Sequence, residues 1–288
     1  MSPLRNSIVL TLLASLVACA VGGAEAWADD IHAPEPTGEE FSLPVDAQMA
    51  ADIDRLVRIA AVIDQLPHYR ATLDGNEQYA DADAVIALWR RIEATPALAR
   101  LRSAVLFIEQ PIARGKALSS DIGRLALLKP VEIDESDASI DAFVQARALG
   151  YTGVSSKSCK GFYRSLLNRA RCAAWNAQAG TPRYFMSAED LTTQAGLCVQ
   201  QDLALATLIG CTHVERNGHH YVNGMAAAPR YEQLAFLAAH PDLYHDDGGT
   251  VRLTINAGQI AIGSLDVAGL GSAVLPDVAA LPEVTYTA

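Results

Sequence analysis

Apolar and polar positions follow two different periods along this chain. From Ile53 to Leu66, apolar residues recur at helical spacing, which predicts an amphipathic helix. Short apolar strands then alternate with helical segments over most of the remaining sequence. The predicted strands are residues 70–73, 104–109, 131–133, 153–157, 184–188 and 212–215. After the first strand, the predicted helices are residues 84–93, 125–128, 140–149, 163–177 and 197–209. The connections between strands are too long for hairpins, so the predicted sheet is parallel.

The repeated β-then-α order predicts an α/β fold, with residues 41–240 forming a TIM-type (β/α) barrel. Periodicity alone does not separate a barrel from an open, doubly wound sheet, but six or seven such units favour the barrel. The C-terminal segment, residues 241–288, has a different pattern. There, two apolar segments flank Asn256-Ala257-Gly258, a short loop that is typical of a β-hairpin. We therefore expect a hairpin appended to the barrel.

The N-terminal residues, 1–28, have the pattern of an export leader. Arg5 precedes an apolar run over residues 8–21, and Ala26-Trp27-Ala28 offers a cleavage site for a secretory signal peptide. Residues 16–19 also resemble a lipobox, in which acylation of Cys19 would supply a lipid anchor. Either leader predicts a periplasmic or envelope-associated protein. The alternative, a misplaced start or a gene remnant, predicts a cytoplasmic one. Residues 29–40 are acidic with two prolines and are interpreted as a linker.

Composition narrows the functional classes. The chain has 288 residues and a net charge of −11, which argues against nucleic-acid binding because no basic face is visible. Five cysteines occur, without a C-x-x-C pair, and four of them lie within apolar patterns. We therefore expect buried free thiols rather than a disulfide framework or a zinc site.

Three carboxylates follow the ends of predicted strands: Asp74 in TLDGNEQY, Glu109 in LFIEQPI and Asp134 in VEIDESD. In a barrel, strand ends meet at one rim, where active sites lie. Three converging carboxylates repel one another unless a cation neutralises them. Oxygen ligands suit a hard divalent ion, so the sequence predicts a magnesium site, with Mn²⁺ as an alternative.

These segments resemble the strand-end motifs of the enolase superfamily, in its mandelate racemase and muconate lactonizing branch. The segments LDGNEQ, FIEQP and IDES carry the resemblance, and GVSSKSCKG resembles the sixth-strand segment that bears an acid or base lysine. The likeness covers roughly residues 41–222. It implies removal of a proton beside a substrate carboxylate through an enediolate intermediate, as in racemases, epimerases, dehydratases and cycloisomerases.

The resemblance also implies roles for further residues. Lys157 is placed as the acid or base, and Lys160 follows on the same segment. A lysine base has to spend time neutral, and a nearby cation with partial burial is expected to lower its pKa. The alternative is a strand-end lysine that only pairs with the acids. The residues expected to line the substrate pocket are Glu189, Asp190, Glu215, His219 and His220. The expected partner is a small carboxylate substrate.

The sequence departs from the family in two ways. Family members usually begin with a capping domain, and we expect that domain and the first barrel strand to be missing here, which truncates the barrel. The second strand normally carries a K-x-K pair, where this chain has Ser42 and Pro44. Unpaired strand edges favour association, so a homo-oligomer is expected. Two hypotheses follow: a magnesium-dependent lyase or isomerase with one lysine base, or a truncated, inactive barrel that only binds metal.

Overall fold

The computed structural model describes residues 7–10, 14–15, 45–190, 195–211, 213–216, 223–269 and 271–280. The chain divides into two compact units, here called the N-terminal unit, Ala14–Val131, and the C-terminal unit, Glu132–Ala288, to which Met1–Leu13 also belongs. The predicted leader and linker lie outside the described residues, apart from two short strands. No helix in the described part of the chain has the length and apolar character needed to cross a membrane.

Helices and strands alternate along the described residues. The strands are β1 (Ser7–Leu10), β2 (Ala14–Ser15), β3 (Ala71–Asp74), β4 (Val105–Glu109), β5 (Val131–Ile133), β6 (Gly153–Ser156), β7 (Phe185–Asp190), β8 (His213–Arg216), β9 (Tyr244–Asp246), β10 (Val251–Leu253), β11 (Ile255–Asn256) and β12 (Gln259–Ala261). The helices are α1 (Val45–Ile63), α2 (Ala82–Ala94), α3 (Ala99–Ala104), α4 (Arg114–Ala117), α5 (Gly123–Ala126), α6 (Ala142–Ala148), α7 (Phe162–Ala179), α8 (Leu197–Leu208) and α9 (Arg230–Ala239).

In the N-terminal unit, β3 pairs in parallel with both β2 and β4. Helix α2 connects this sheet to the segment before β4. The Asp81 side chain caps α2 by accepting a hydrogen bond from the Ala84 N–H at 2.9 Å. Val85, Leu88 and Ile92 are buried on one face of α2 at helical spacing. This apolar stripe is what holds the helix in the core of the unit.

In the C-terminal unit, β5, β6, β7 and β8 lie side by side in chain order, and each pair is parallel. Helix α6 connects β5 to β6, α7 connects β6 to β7, and α8 connects β7 to β8. Strand β1 continues this sheet in parallel beyond β8. The repeated β-then-α order with parallel pairing confirms the predicted α/β class and is typical of part of a TIM-type barrel.

Gly153 allows three neighbouring strands of this unit to pack closely. A Cβ atom at Gly153 would lie 2.4 Å from the Phe185 ring on β7 and 2.7 Å from the Glu132 Cβ on β5. Both distances are shorter than real contacts, so only glycine fits between these side chains. The absence of a side chain at the start of β6 therefore brings β5 and β7 side chains together.

The C-terminal strands differ from the predicted appendage. Strands β11 and β12 do form a hairpin around Ala257 and Gly258, whose positive φ angles of 48° and 75° are typical of a tight turn. However, β12 also pairs with β1 in the main sheet, and residues 251–253 pair with Tyr244–Asp246 instead. An appended hairpin is therefore not confirmed.

The cysteine prediction is confirmed only in part. Cys172 and Cys211 are buried and free, whereas Cys159 and Cys198 are free but exposed. Burial raises the pKa of both buried thiols to about 12. Cys198 is exposed because it lies on the outer face of α8, which apolar patterning alone did not distinguish from the inner face. Cys19 lies outside the described residues.

Candidate active site

Two of the predicted metal ligands stand side by side in the N-terminal unit. Asp74 is the last residue of β3 and Glu109 is the last residue of β4, and the two are partners in the parallel ladder. Glu109 is buried, with 4% of its surface exposed, whereas Asp74 is half-buried. The Asp74 Oδ1 accepts a hydrogen bond from the Asn76 N–H at 2.8 Å. The adjacent strand ends thus bring two carboxylates to one edge of this sheet.

The third predicted ligand lies among lysines in the C-terminal unit. Asp134 follows β5, and its carboxylate accepts hydrogen bonds from Lys157 Nζ at 2.6 Å and from Lys160 Nζ at 2.7 Å. Lys157 Nζ also lies 2.9 Å from the Glu189 carboxylate. Lys160 Nζ further donates to the backbone oxygens of Asp134, at 2.9 Å, and Ser155, at 2.8 Å. We call Asp134, Lys157, Lys160 and Glu189 the lysine–carboxylate cluster.

Strand geometry explains why these side chains meet. Alternate residues of a strand point to the same face, so Ser155 and Lys157 share one face of the β6 segment, as Ser187 and Glu189 do on β7. Ser155 Oγ donates to Glu189 Oε1 at 2.8 Å, which fixes that carboxylate beside Lys157. Lys157 is 8% exposed and Glu189 is 6% exposed. The charges of the cluster are therefore largely removed from water.

The charges of the cluster stabilise one another. Burial alone lowers the pKa of Lys157, but the Glu189 and Asp134 carboxylates outweigh burial and raise it above its ordinary value. Burial likewise opposes the charge on Asp134, but Lys160 and Lys157 lower its pKa. Lys157 is thus an ammonium near neutral pH. The expected lowering of the Lys157 pKa by a nearby cation stays a prediction, and the two carboxylate partners act in the opposite direction.

Three further buried residues adjoin the cluster: Glu132, Ser155 and Ser187. The sequence did not predict a role for any of them. Glu132 is fully buried on β5 and accepts a hydrogen bond from Ser187 Oγ at 2.9 Å. Burial raises its pKa well above the ordinary value, and the nearby Asp134 and Glu189 carboxylates add to that rise. Its position, two residues before Asp134, was the available signal, since both residues then share one strand face.

The structure places some of the expected substrate-binding residues. Glu189 belongs to the cluster, and its carboxylate lies within 4.8 Å of that of Glu215, its ladder partner on β8. Asp190 ends β7, but its side chain lies outside the described part of the chain. His219 and His220 lie outside the described residues altogether. Their proposed contacts with substrate stay predictions.

The donor set fits a hard divalent cation. Asp74 and Glu109 present carboxylate oxygens, which magnesium prefers, at neighbouring strand ends. Asp134 also offers carboxylate oxygens. Although each of them accepts a lysine hydrogen bond, a carboxylate has about four lone-pair positions, so an ammonium and a cation can share it. Each of the three predicted ligands thus offers only carboxylate oxygens.

Comparisons with known proteins give structural likeness only. No protein-family model matches the chain, and no curated protein matches it. A mandelate racemase/muconate lactonizing protein from Herpetosiphon aurantiacus is 19% identical, with 73% of this chain and 52% of that one covered at a TM-score of 0.44. A probable mandelate racemase from Alicyclobacillus acidocaldarius is 16% identical, with 90% and 57% covered at a TM-score of 0.46. An enolase from alpha proteobacterium bal199, solved with bound magnesium, is 18% identical, with 59% and 41% covered at a TM-score of 0.42.

The chain spans about half the length of the solved proteins that it matches. The solved structures similar to this chain include mandelate racemase/muconate lactonizing proteins and other members of the enolase superfamily.

Proposed function

We propose that this protein transfers a proton at the carbon next to a substrate carboxylate, with the help of a divalent cation. The observation that carries the proposal is the buried lysine–carboxylate cluster at the carboxyl ends of β5, β6 and β7. Buried ion pairs are poor stabilisers because desolvation is costly. Groups with shifted pKa values at strand ends are therefore more typical of a functional site than of a structural one.

In this proposal, Asp74 and Glu109 hold the cation at the carboxyl ends of β3 and β4. Magnesium is the expected ion and manganese an alternative, since the ligands are carboxylate oxygens. When bound, the cation would supply Lewis-acid stabilisation of the negative charge that grows on the substrate carboxylate. A small carboxylate substrate follows from that role.

The lysines move and hold protons. Lys157 carries a proton that Asp134 and Glu189 stabilise, so in this arrangement it holds that proton more tightly than a free lysine does. It accepts one only after a carboxylate partner has been neutralised. Lys160 holds the other Asp134 oxygen and thereby keeps that carboxylate oriented toward Lys157. With Ser42 and Pro44 at the positions of the opposite base, proton transfer is expected on one face only, as in an elimination or an α-hydrogen exchange.

A second candidate function is metal binding without turnover. The observation that favours it is the pairing of the buried Lys157 ammonium with two carboxylates, Asp134 at 2.6 Å and Glu189 at 2.9 Å, which keeps its proton in place. A lysine that never loses its proton cannot serve as a base. In that case Asp74 and Glu109 would retain metal affinity although no α-proton is removed.

Deuterium exchange distinguishes the two functions. The protein is incubated with magnesium or manganese in deuterated water and a panel of acid sugars, 2-hydroxy acids and amino acid derivatives. NMR then follows loss of the α-hydrogen. One-sided exchange or elimination that needs the metal and is lost in Lys157→Ala supports proton transfer. Interconversion of both enantiomers refutes the one-base model, and metal binding without any exchange favours the second function.

A further inference from the structure

The loops that follow β3 and β4 in the N-terminal unit contain residues with unusual, positive φ angles. Among the residues that the structure describes, four that are not glycine have positive φ, and three of them lie in the loops that follow β3 and β4. Asn76 and Glu77 have φ of 41° and 64°, and Gln110 has φ of 27°. Such conformations are unfavourable for residues with a Cβ and persist only where surrounding contacts hold them. Strain of this kind is typical of functional loops.

Backbone hydrogen bonds tie the two loops together. The Gly75 N–H donates to the Glu109 oxygen at 2.8 Å, and the Glu77 N–H donates to the Gln110 oxygen at 2.8 Å. A Cβ on Gly75 would lie 2.6 Å from the Pro111 Cα, so this close approach requires glycine. The loops after β3 and β4 thus continue the contact of the two strands beyond their ends.

An ion pair between Glu77 and Arg114 also joins the loop after β3 to the segment after β4. The Glu77 carboxylate accepts a bifurcated hydrogen bond from the single Arg114 Nε–H, with its two oxygens at 2.9 and 3.0 Å, and another hydrogen bond from Arg114 Nη2 at 2.6 Å. It also accepts one from the Arg114 backbone N–H at 2.6 Å. Most surface ion pairs stabilise little, but a two-pronged arginine–carboxylate pair fixes geometry in a way that a single contact does not.

The geometry points to Glu77 and Arg114 as positioning residues for the Asp74 and Glu109 carboxylates. The N–H that binds Asp74 Oδ1 is that of Asn76, the residue directly before Glu77, so holding Glu77 in place also holds this N–H and the Asp74 carboxylate that it orients. The inference rests on the proposed function, because it takes these two acids as cation ligands. Partners that orient metal ligands strongly affect affinity although they do not touch the ion.

Manganese titration of the full chain tests this role. Arg114→Gln and Glu77→Gln are each expected to weaken Mn²⁺ binding by about 10- to 100-fold in isothermal titration calorimetry. Arg114→Lys is expected to restore part of that loss, since lysine keeps the charge but lacks the planar fork. Because Arg114 is exposed, with 61% of its side chain accessible, the metal-free unfolding midpoint in urea is expected to stay unchanged.

Matched variants separate the possible failures. Arg124→Gln removes the exposed Arg124–Asp83 pair in the same unit with the same change of charge, and it is expected to leave Mn²⁺ affinity unchanged. Asp74→Asn is expected to abolish binding. Binding that is lost in Asp74→Asn but normal in Arg114→Gln and Glu77→Gln would overturn the positioning role alone. A wild-type chain that binds no Mn²⁺ would overturn the proposed function as well.

Discussion

Lys157 and its partners are buried charges of the C-terminal unit, and each of them stabilises the charged form of its oppositely charged partners. Lys157 pairs with the Asp134 and Glu189 carboxylates, while Lys160 pairs with the Asp134 carboxylate and also donates to the Ser155 backbone oxygen. Removing one charge from such a group leaves its partner buried without compensation. Single substitutions in the cluster are therefore expected to affect stability as well as chemistry, and the two effects can be measured separately.

Lys157→Met is expected to lower the free energy of unfolding by about 3–5 kcal/mol, because Glu189 then loses its ammonium partner in a buried position. Urea unfolding monitored by circular dichroism measures this change. Adding Glu189→Gln to Lys157→Met should recover part of the loss, since the uncompensated charge is gone. Strictly additive effects of the two substitutions would contradict a direct ion pair.

The buried side chain of His240 predicts that the free energy of unfolding depends on pH. It is fully buried, and its Nε2 accepts a hydrogen bond from the Ala273 N–H at 3.1 Å, so the Nδ1 hydrogen faces Ser264 Oγ at 3.2 Å. Burial lowers the pKa of His240 below its ordinary value of 6.5. As the pH falls, the histidine of the unfolded chain therefore binds a proton at a higher pH than that of the folded chain. The contribution of His240 to the free energy of unfolding is thus complete above about pH 6.5 and is lost as the pH falls through the lowered pKa.

The expected slope from His240 is at most about 1.4 kcal/mol per pH unit between pH 6.5 and the lowered pKa. Urea unfolding at several pH values between 5 and 8 measures it. His240→Gln should remove this part of the slope, since glutamine does not titrate. His245→Gln, at an exposed histidine, serves as the control, and an equal change of slope in both variants would refute the assignment.

At the scale of single elements, close packing between neighbouring strands decides which side chains meet. Strands β5, β6 and β7 are short, but their parallel registers align Glu132 with Gly153 and Gly153 with Phe185. The same registers bring Ser155 beside Ser187. The close packing of Gly153 at the start of β6 therefore helps to align the opposite ends of β5, β6 and β7, where the lysine–carboxylate cluster lies.

Gly153→Ala is expected to destabilise the protein by about 1–3 kcal/mol, because the new Cβ would overlap the Phe185 ring and the Glu132 Cβ. Thermal and urea unfolding measure the change. Gly115→Ala is the matched control, since a Cβ at Gly115 meets nothing within 4 Å, and alanine is favoured over glycine in a helix such as α4. A neutral Gly153→Ala would show that the strands separate easily.

At the scale of the whole molecule, a cation that binds only the folded chain stabilises it by mass action. If Glu109 is a ligand, magnesium at about 100 times its dissociation constant should raise the free energy of unfolding by about 2.7 kcal/mol. Differential scanning calorimetry at constant ionic strength measures the rise. Glu109→Gln should abolish it, whereas Asp83→Asn, at an exposed carboxylate, should not. An unchanged rise in Glu109→Gln would exclude this residue as a ligand.

The sequence by itself determined the α/β class and the positions of the charged residues at strand ends. Each of these follows from local patterns, because an apolar strand that ends in a carboxylate is visible within a few residues. Asp74 and Glu109 were placed at the ends of β3 and β4 in this way, and Lys157 was placed just after β6. Local spacing also located the helices between the strands.

Only the tertiary structure decided which groups pair and in what charge state. Lys157 contacts Asp134 and Glu189, residues far from it in sequence, and these carboxylates raise its pKa although burial opposes the rise. The Glu77–Arg114 pair likewise joins residues 37 positions apart. Electrostatic interactions depend on distance and burial in space, not on distance along the chain, so no local pattern contains them.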